Sequence, residues 1–149
     1  MVISMNLKLQ DIRENNELSQ KAVADILNVS QPTYSRWEKE IEIIPLNKLI
    51  LFAKYFNVSL DYLCNLSLIK KENKNYNYIV NKELSSNNII NFRKKNNLTQ
   101  KELAIFLNTT PSTICAYEKG KTLILTSFAY QICKKYNISM DYICGLVKW

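Results

Sequence analysis

An offset of eighty positions lays two halves of the chain on each other without a gap, Asp11 to Leu66 against Asn91 to Leu146. Arg13 meets Arg93, "LSQK" from Leu18 meets "LTQK" from Leu98, Glu38-Lys39 meets Glu118-Lys119, and "NVSLDYLCNL" from Asn57 meets "NISMDYICGL" from Asn137. About a third of the aligned positions are identical, which is the signature of one structural unit used twice. With 149 residues to distribute, the repeat favours two small cores over a single larger one. The stretch between the halves, "SLIKKENKNYNYIVNKELSS", is rich in Asn and Lys and reads as a linker with a short ordered piece around Tyr76 to Val80. The expected boundaries are therefore 1–66, a linker over 67–86, and 87–149.

Each half reads as five short helices, because the chain has only two glycines and three prolines and its apolar residues recur at helical spacing. In the first half, "NLKLQDIREN" is expected to form the opening helix with Leu9 and Ile12 inward. Ser19 is placed to cap a second helix whose Val23, Ala24 and Leu27 share a face. Asn28 falls at a sharp turn, where asparagine tolerates the left-handed conformation. Ser30 caps the third helix, a fourth follows Pro45 with Leu49, Ala53 and Phe56 inward, and Ser59 caps a short fifth. Thr99, Asn108, Thr110 and Ser139 repeat these roles in the second half. The fold class is all-α, two tandem five-helix units.

The composition excludes several activities. The chain has no histidine, and Cys64, Cys115, Cys133 and Cys144 form no C-x-x-C pair, so neither a metal site nor a redox motif has its ligands at suitable spacing. Cys64 and Cys144 occupy equivalent apolar positions, where a thiol packs as a small hydrophobe. No paired carboxylates or glycine-rich phosphate loop are present, and no enzymatic chemistry or cofactor is expected. The N-terminus lacks a basic segment followed by an apolar block, and apolar runs are broken by Lys or Asn well short of a membrane span. A cytoplasmic protein with no membrane partner is expected.

Two helices joined by a tight turn, the second with one apolar face, make a helix-turn-helix. The stretches "IRENNELSQKAVADILNVSQPTYSRWEKE" and "FRKKNNLTQKELAIFLNTTPSTICAYEKGK" resemble the Cro/repressor-type (XRE) family of DNA-binding domains, and "VSLDYLCNL" resembles the fifth helix of many members. The resemblance implies double-stranded DNA as partner, with the third helix of each unit in the major groove, where base edges carry a distinct donor and acceptor pattern. Tyr34 and Trp37 should point inward, as should Ile114 and Tyr117. That leaves Gln31, Pro32, Thr33 and Arg36 facing outward, matched by Pro111, Ser112, Thr113 and Ala116, where the resemblance places base contacts. Gln suits adenine and Arg suits guanine, through two bonds each. Phosphate contacts are implied for Gln20, Lys39, Gln100, Lys101, Lys119 and Lys121. Arg13 with Glu38, and Arg93 with Glu118, read as internal ion pairs fastening the first helix of each unit to the third.

The first copy departs from the family pattern. Glu40 and Glu42 stand where glycine and a base are common, and Glu17 occupies a helix-end position usually given to glycine; a carboxylate facing phosphate would oppose DNA. Charge divides the copies too: net −1 on residues 1–66, +2 on 67–86 and +6 on 87–149. Phosphate neutralisation supplies most non-specific affinity, so the second copy should grip DNA more strongly, while the first has the better base readers. Two accounts follow. One is a sequence-specific transcriptional regulator, a repressor of the phage or mobile-element kind that the resemblance suggests. The other is a protein-interaction module, an antitoxin or an inhibitor of a nucleic-acid enzyme, whose first copy binds a protein partner while one helix-turn-helix is kept for autoregulation. In the regulator account one chain acts as a covalent pseudo-dimer, with further homodimerisation left open. Half-sites lie about 34 Å apart, and a linker of twenty residues reaches roughly 66 Å at most, averaging about 25 Å when flexible.

Overall fold

The computed structural model describes residues 4–71 and 76–148. The chain divides into two compact units, Met1–Lys74 and Asn75–Trp149. Ten helices and no strand occur among the described residues, which agrees with the all-α reading.

Unit 1 contains α1 (Leu9–Asn15), α2 (Gln20–Ile26), α3 (Gln31–Glu38), α4 (Leu46–Phe56) and α5 (Leu60–Leu63). Its helix starts are set by hydroxyl caps. Ser19 accepts from the Ala22 amide, Ser30 from Thr33 and Ser59 from Tyr62, each satisfying an amide that has no partner inside its helix. The turn between α2 and α3 closes on Asn28 at φ 58°, and the Val29 amide donates back to the Ala24 carbonyl at 2.9 Å. Leu9, Val23, Ala24, Leu27, Tyr34, Trp37, Leu49, Phe52 and Ala53 form the core, each large apolar side chain contributing on the order of 2 kcal/mol. Phe56 is only half-buried; it rests against Phe52, ring centroids 4.5 Å apart.

Unit 2 repeats the order as α6 (Lys82–Lys95), α7 (Gln100–Leu107), α8 (Pro111–Glu118), α9 (Thr126–Tyr136) and α10 (Met140–Ile143). Thr99, Thr110 and Ser139 are the caps, and Thr99 with Glu102 completes a reciprocal capping box. Asn108 at φ 56° makes the α7–α8 turn.

The opening of each unit differs from the sequence reading, and in opposite directions. α1 begins at Leu9 rather than Asn6, since Asn6 lies at φ 51°, outside helical geometry. α6 begins at Lys82, inside the stretch that reads as linker. Asn81 caps it by accepting from the Leu84 amide. Ser85 donates to the Ile143 carbonyl, Ser86 to that of Glu118, and Asn88 to those of Tyr142 and Val147. Polar residues that look solvated in sequence are here buried and bonded to the ends of α8 and α10.

Within unit 1 the Lys70 carbonyl accepts from the Ser59 amide, and within unit 2 the Asn77 amide donates to the Leu146 carbonyl. The Tyr76 and Tyr78 rings stack at 5.6 Å in the stretch expected to be ordered; residues 72–75 of the linker lie outside the described residues.

Candidate nucleic-acid interface

In each unit a polar network begins at the ion pair between the first and third helices. Arg13 Nε donates to Glu38 Oε2 at 2.6 Å and Arg13 Nη2 to Oε1 at 3.1 Å, while Nη1 reaches the Leu18 carbonyl at 2.9 Å. The Glu38 side chain is 2% exposed. Burial pushes its carboxyl up, but hydrogen bonds from Arg13 and Gln20 and the Arg13 charge outweigh that and hold it below the usual carboxylate value. The hydrogen bond to Glu38 likewise raises the Arg13 guanidinium. The buried Tyr34 hydroxyl also favours the charged carboxylate, although it makes no hydrogen bond of ordinary geometry.

Unit 2 reproduces the fork. Arg93 Nε meets Glu118 Oε2 at 2.6 Å, Nη2 meets Oε1 at 2.9 Å, and Nη1 meets the Leu98 carbonyl at 2.9 Å. Two parallel bonds between planar groups fix orientation as well as distance, so each third helix is held against the first helix of its unit.

From this anchor the network extends to the exposed turn. Gln20 Nε2 donates to Glu38 Oε1 at 3.0 Å, and Gln31 Nε2 donates to Gln20 Oε1 at 2.8 Å. Arg13, Glu38, Gln20 and Gln31 thus form one chain that leads from the core to the N-terminus of α3. In unit 2 Gln100 Nε2 donates to Glu118 at 3.1 Å, but Pro111 replaces Gln31 and has no side-chain donor, so the chain ends there.

The outward face of α3 carries half-buried Gln31, Thr33 and Arg36 with exposed Pro32. Arg36 is not loose on this face. Its Nε donates to Glu42 Oε1 at 2.9 Å and its Nη2 to Thr33 Oγ1 at 3.3 Å, which aims the guanidinium along the helix surface. On α8 the equivalent face presents exposed Pro111 and Ser112 and half-buried Thr113 and Ala116. Lys39 follows α3 and Lys119 and Lys121 follow α8, all exposed, while exposed Lys101 lies in the first turn of α7 and half-buried Gln20 and Gln100 open α2 and α7.

Glu40 does not face outward. Its Oε2 accepts from Ser4 Oγ at 3.0 Å and from the Met5 amide at 3.2 Å, and its Oε1 from the Leu7 amide at 3.0 Å. The carboxylate is spent on residues 4–7, whose Met5 side chain is 1% exposed; it is not the phosphate-facing charge that the sequence suggests. Glu42, by contrast, is exposed and engaged with Arg36. The role of Glu40 depends on partners more than thirty residues upstream and that of Glu42 on Arg36 one helix end away; the second copy has Gly120 and Thr122 at these positions.

Among the described residues no helix is long and apolar enough to cross a membrane, and no group of three or more His, Cys, Asp or Glu is placed to hold a metal ion. Cys64, Cys133 and Cys144 are buried.

Comparison with known proteins adds to this geometry. A protein-family model described as Helix-turn-helix matches residues 9–63 and again residues 89–143. Over 86 residues the chain is 31% identical to the HTH-type transcriptional activator BcrR of Enterococcus faecalis, covering 52% of this chain and 42% of that protein. Over 60 residues it is 28% identical to the uncharacterized HTH-type transcriptional regulator YobD of Bacillus subtilis (strain 168), covering 40% of this chain and 54% of that one. The chain thus spans about half the length of these curated relatives. No solved structure matches it at a significant level.

Proposed function

The chain belongs to the helix-turn-helix family, and on that premise we propose that it is a sequence-specific regulator of transcription that meets double-stranded DNA through α3 and α8. The observation that carries this reading is the build of α3. Its inner residues Tyr34 and Trp37 are 0% and 4% exposed, while Gln31, Thr33 and Arg36 stand on the opposite face, two of them already oriented by Gln20 and Glu42. Side chains fixed before binding lose less entropy when they engage a base edge. The similarity to transcriptional regulators in two bacteria supports the same reading.

Within it the units divide the work. Unit 2 carries most of the net positive charge and supplies affinity through phosphates, with Lys119 and Lys121 beside α8, whereas unit 1 supplies discrimination through Gln31 and Arg36. Occupancy of a promoter suffices for repression, the sense of regulation we favour. The two unlike helices call for two unlike half-sites.

Selection of binding sites from random duplexes with the purified full chain tests the proposal. It should return one motif with two unlike parts, and a reporter carrying that motif within its promoter should fall in expression when the chain is present. Recovery of no motif, or of a perfectly symmetric one, would contradict it.

A further inference from the structure

The outward face of α8 carries no cation and no amide. From Pro111 to Tyr117 its side chains are "PSTICAY", and the first charged residue, Glu118, is committed to Arg93. Beside this face runs an open groove of about 520 Å³, lined among others by Ser112, Thr113, Ala116, Thr122, Leu125 and Phe128. Leu125 is 54% exposed at its rim. In unit 1 the residues equivalent to Ala116 and Thr122 are Arg36 and Glu42, which are joined by their ion pair. The same framework therefore presents a charged reader in one unit and an uncharged hollow of methyl, hydroxyl and aromatic groups in the other.

Such a surface cannot make the paired bonds that an arginine makes with guanine. It can exclude water from an apolar group, and the major groove offers one such group, the C5-methyl of thymine, whose usual protein contacts are Ala, the Thr methyl and Phe. Exposed Lys119 and Lys121 follow directly on α8, and the +6 charge of residues 87–149 favours a polyanion as the occupant of this face over an apolar protein segment. Resting on the regulator reading above, we propose that unit 2 selects thymine-bearing base pairs by burying their methyl groups in the groove formed by Thr113, Ala116, Thr122 and Leu125.

The test replaces thymine by deoxyuridine, one position at a time, in the site selected by the full chain; this removes the methyl group and leaves base pairing intact. The half-site of α3 is identified as the one where Arg36→Ala relaxes base preference. In the other half-site, one or two replacements should each weaken binding about three- to tenfold, while replacements in the α3 half-site change it less than about twofold. A double variant, Ala116→Arg with Thr122→Glu, transplants the charged pair of unit 1. It should abolish the deoxyuridine effect and shift preference towards guanine, with its helix content checked by circular dichroism. If the chain binds its site selectively yet no replacement in the second half-site matters, the methyl-reading inference falls and the regulator reading stands. If no sequence is preferred at all, both fall. The deoxyuridine series on the unaltered chain decides the matter even if the double variant fails to fold.

Discussion

At residue 40 the first unit holds a glutamate in the left-handed region, φ 54°, and at residue 120 the second holds a glycine, φ 69°. Each fits a different opening segment. A Cβ on Gly120 would meet the Lys82 carbonyl at 3.7 Å, an ordinary contact, so glycine serves there by adopting the left-handed backbone without strain, beside α6, which starts seven residues before the position equivalent to Leu9. In the first unit residues 4–8 are not helical, and the Glu40 side chain gathers the Ser4 hydroxyl and the Met5 and Leu7 amides instead. The Arg-Glu fork, the hydroxyl caps of the second, third and fifth helices and the Asn turn recur in both. What holds the third helix in place is thus separable from what surrounds it, and the surroundings are where the two units have diverged.

The largest expected asymmetry is at the end of the fifth helices. A Cβ on Gly145 would stand 2.7 Å from the Ser85 amide nitrogen and 2.9 Å from the Asn81 carbonyl oxygen, both backbone atoms of the α6 start. Gly145→Ala combines left-handed strain of about 1–2 kcal/mol with overpacking of about 1–3 kcal/mol, so unit 2 should lose roughly 4 kcal/mol. At the equivalent Asn65, φ 61°, Asn65→Ala should cost only the strain. Thermal unfolding of both variants measures the difference; equal losses would mean that α6 does not depend on the close approach.

Next come the shared forks. Glu38→Ala and Glu118→Ala each leave a largely buried arginine without its carboxylate and should each cost about 3 kcal/mol. Because the Glu38 carboxyl is held below its usual value, its contribution to stability is present above the ordinary carboxylate pKa and is lost as pH falls through the depressed one. Acid titration of wild type and Glu38→Gln should therefore converge at low pH. Parallel curves that never converge would show that the Glu38 charge does not stabilise the fold.

How much of this was legible in the sequence varies by region. The repeat, the hydroxyl caps, the inward Tyr34, Trp37, Ile114 and Tyr117 and the left-handed Asn28 and Asn108 all follow from local chemistry or from a pattern repeated eighty residues on. The start of α6 does not, because "NKELSSNN" has the composition of a solvated linker. Its order comes from Ser85, Ser86 and Asn88 meeting carbonyls at the ends of α8 and α10, contacts 32 to 59 residues away. Asn81 was the available clue, a cap two residues before an acidic first turn. Glu40 was legible as an anomaly but not as an anchor, since its partners lie more than thirty residues upstream. Gln31 and Arg36 could be picked out on the α3 face, but their ties to Gln20 and Glu42 could not.

A smaller effect is expected at Glu40 itself. Glu40→Gly relieves left-handed strain while removing three hydrogen bonds to a carboxylate, so the net loss should be about 1–2 kcal/mol. The Met5 and Leu7 amides should exchange hydrogen faster, and Gly120→Ala should produce no such change in unit 1. Unchanged protection at Met5 and Leu7 would break the proposed correspondence between Glu40 and the opening segment.

The division of labour between the units is tested most directly by one set of titrations. Wild type, Arg36→Ala and Lys121→Ala are measured against the selected site and its single-base changes over a range of salt. Arg36→Ala should cost about 1–3 kcal/mol and relax preference at one base pair with little change in salt slope, whereas Lys121→Ala should weaken every sequence alike and reduce the slope by about one. If Arg36→Ala leaves affinity and base preference untouched, or if the two substitutions act alike, unit 1 is not a reader and the account is contradicted.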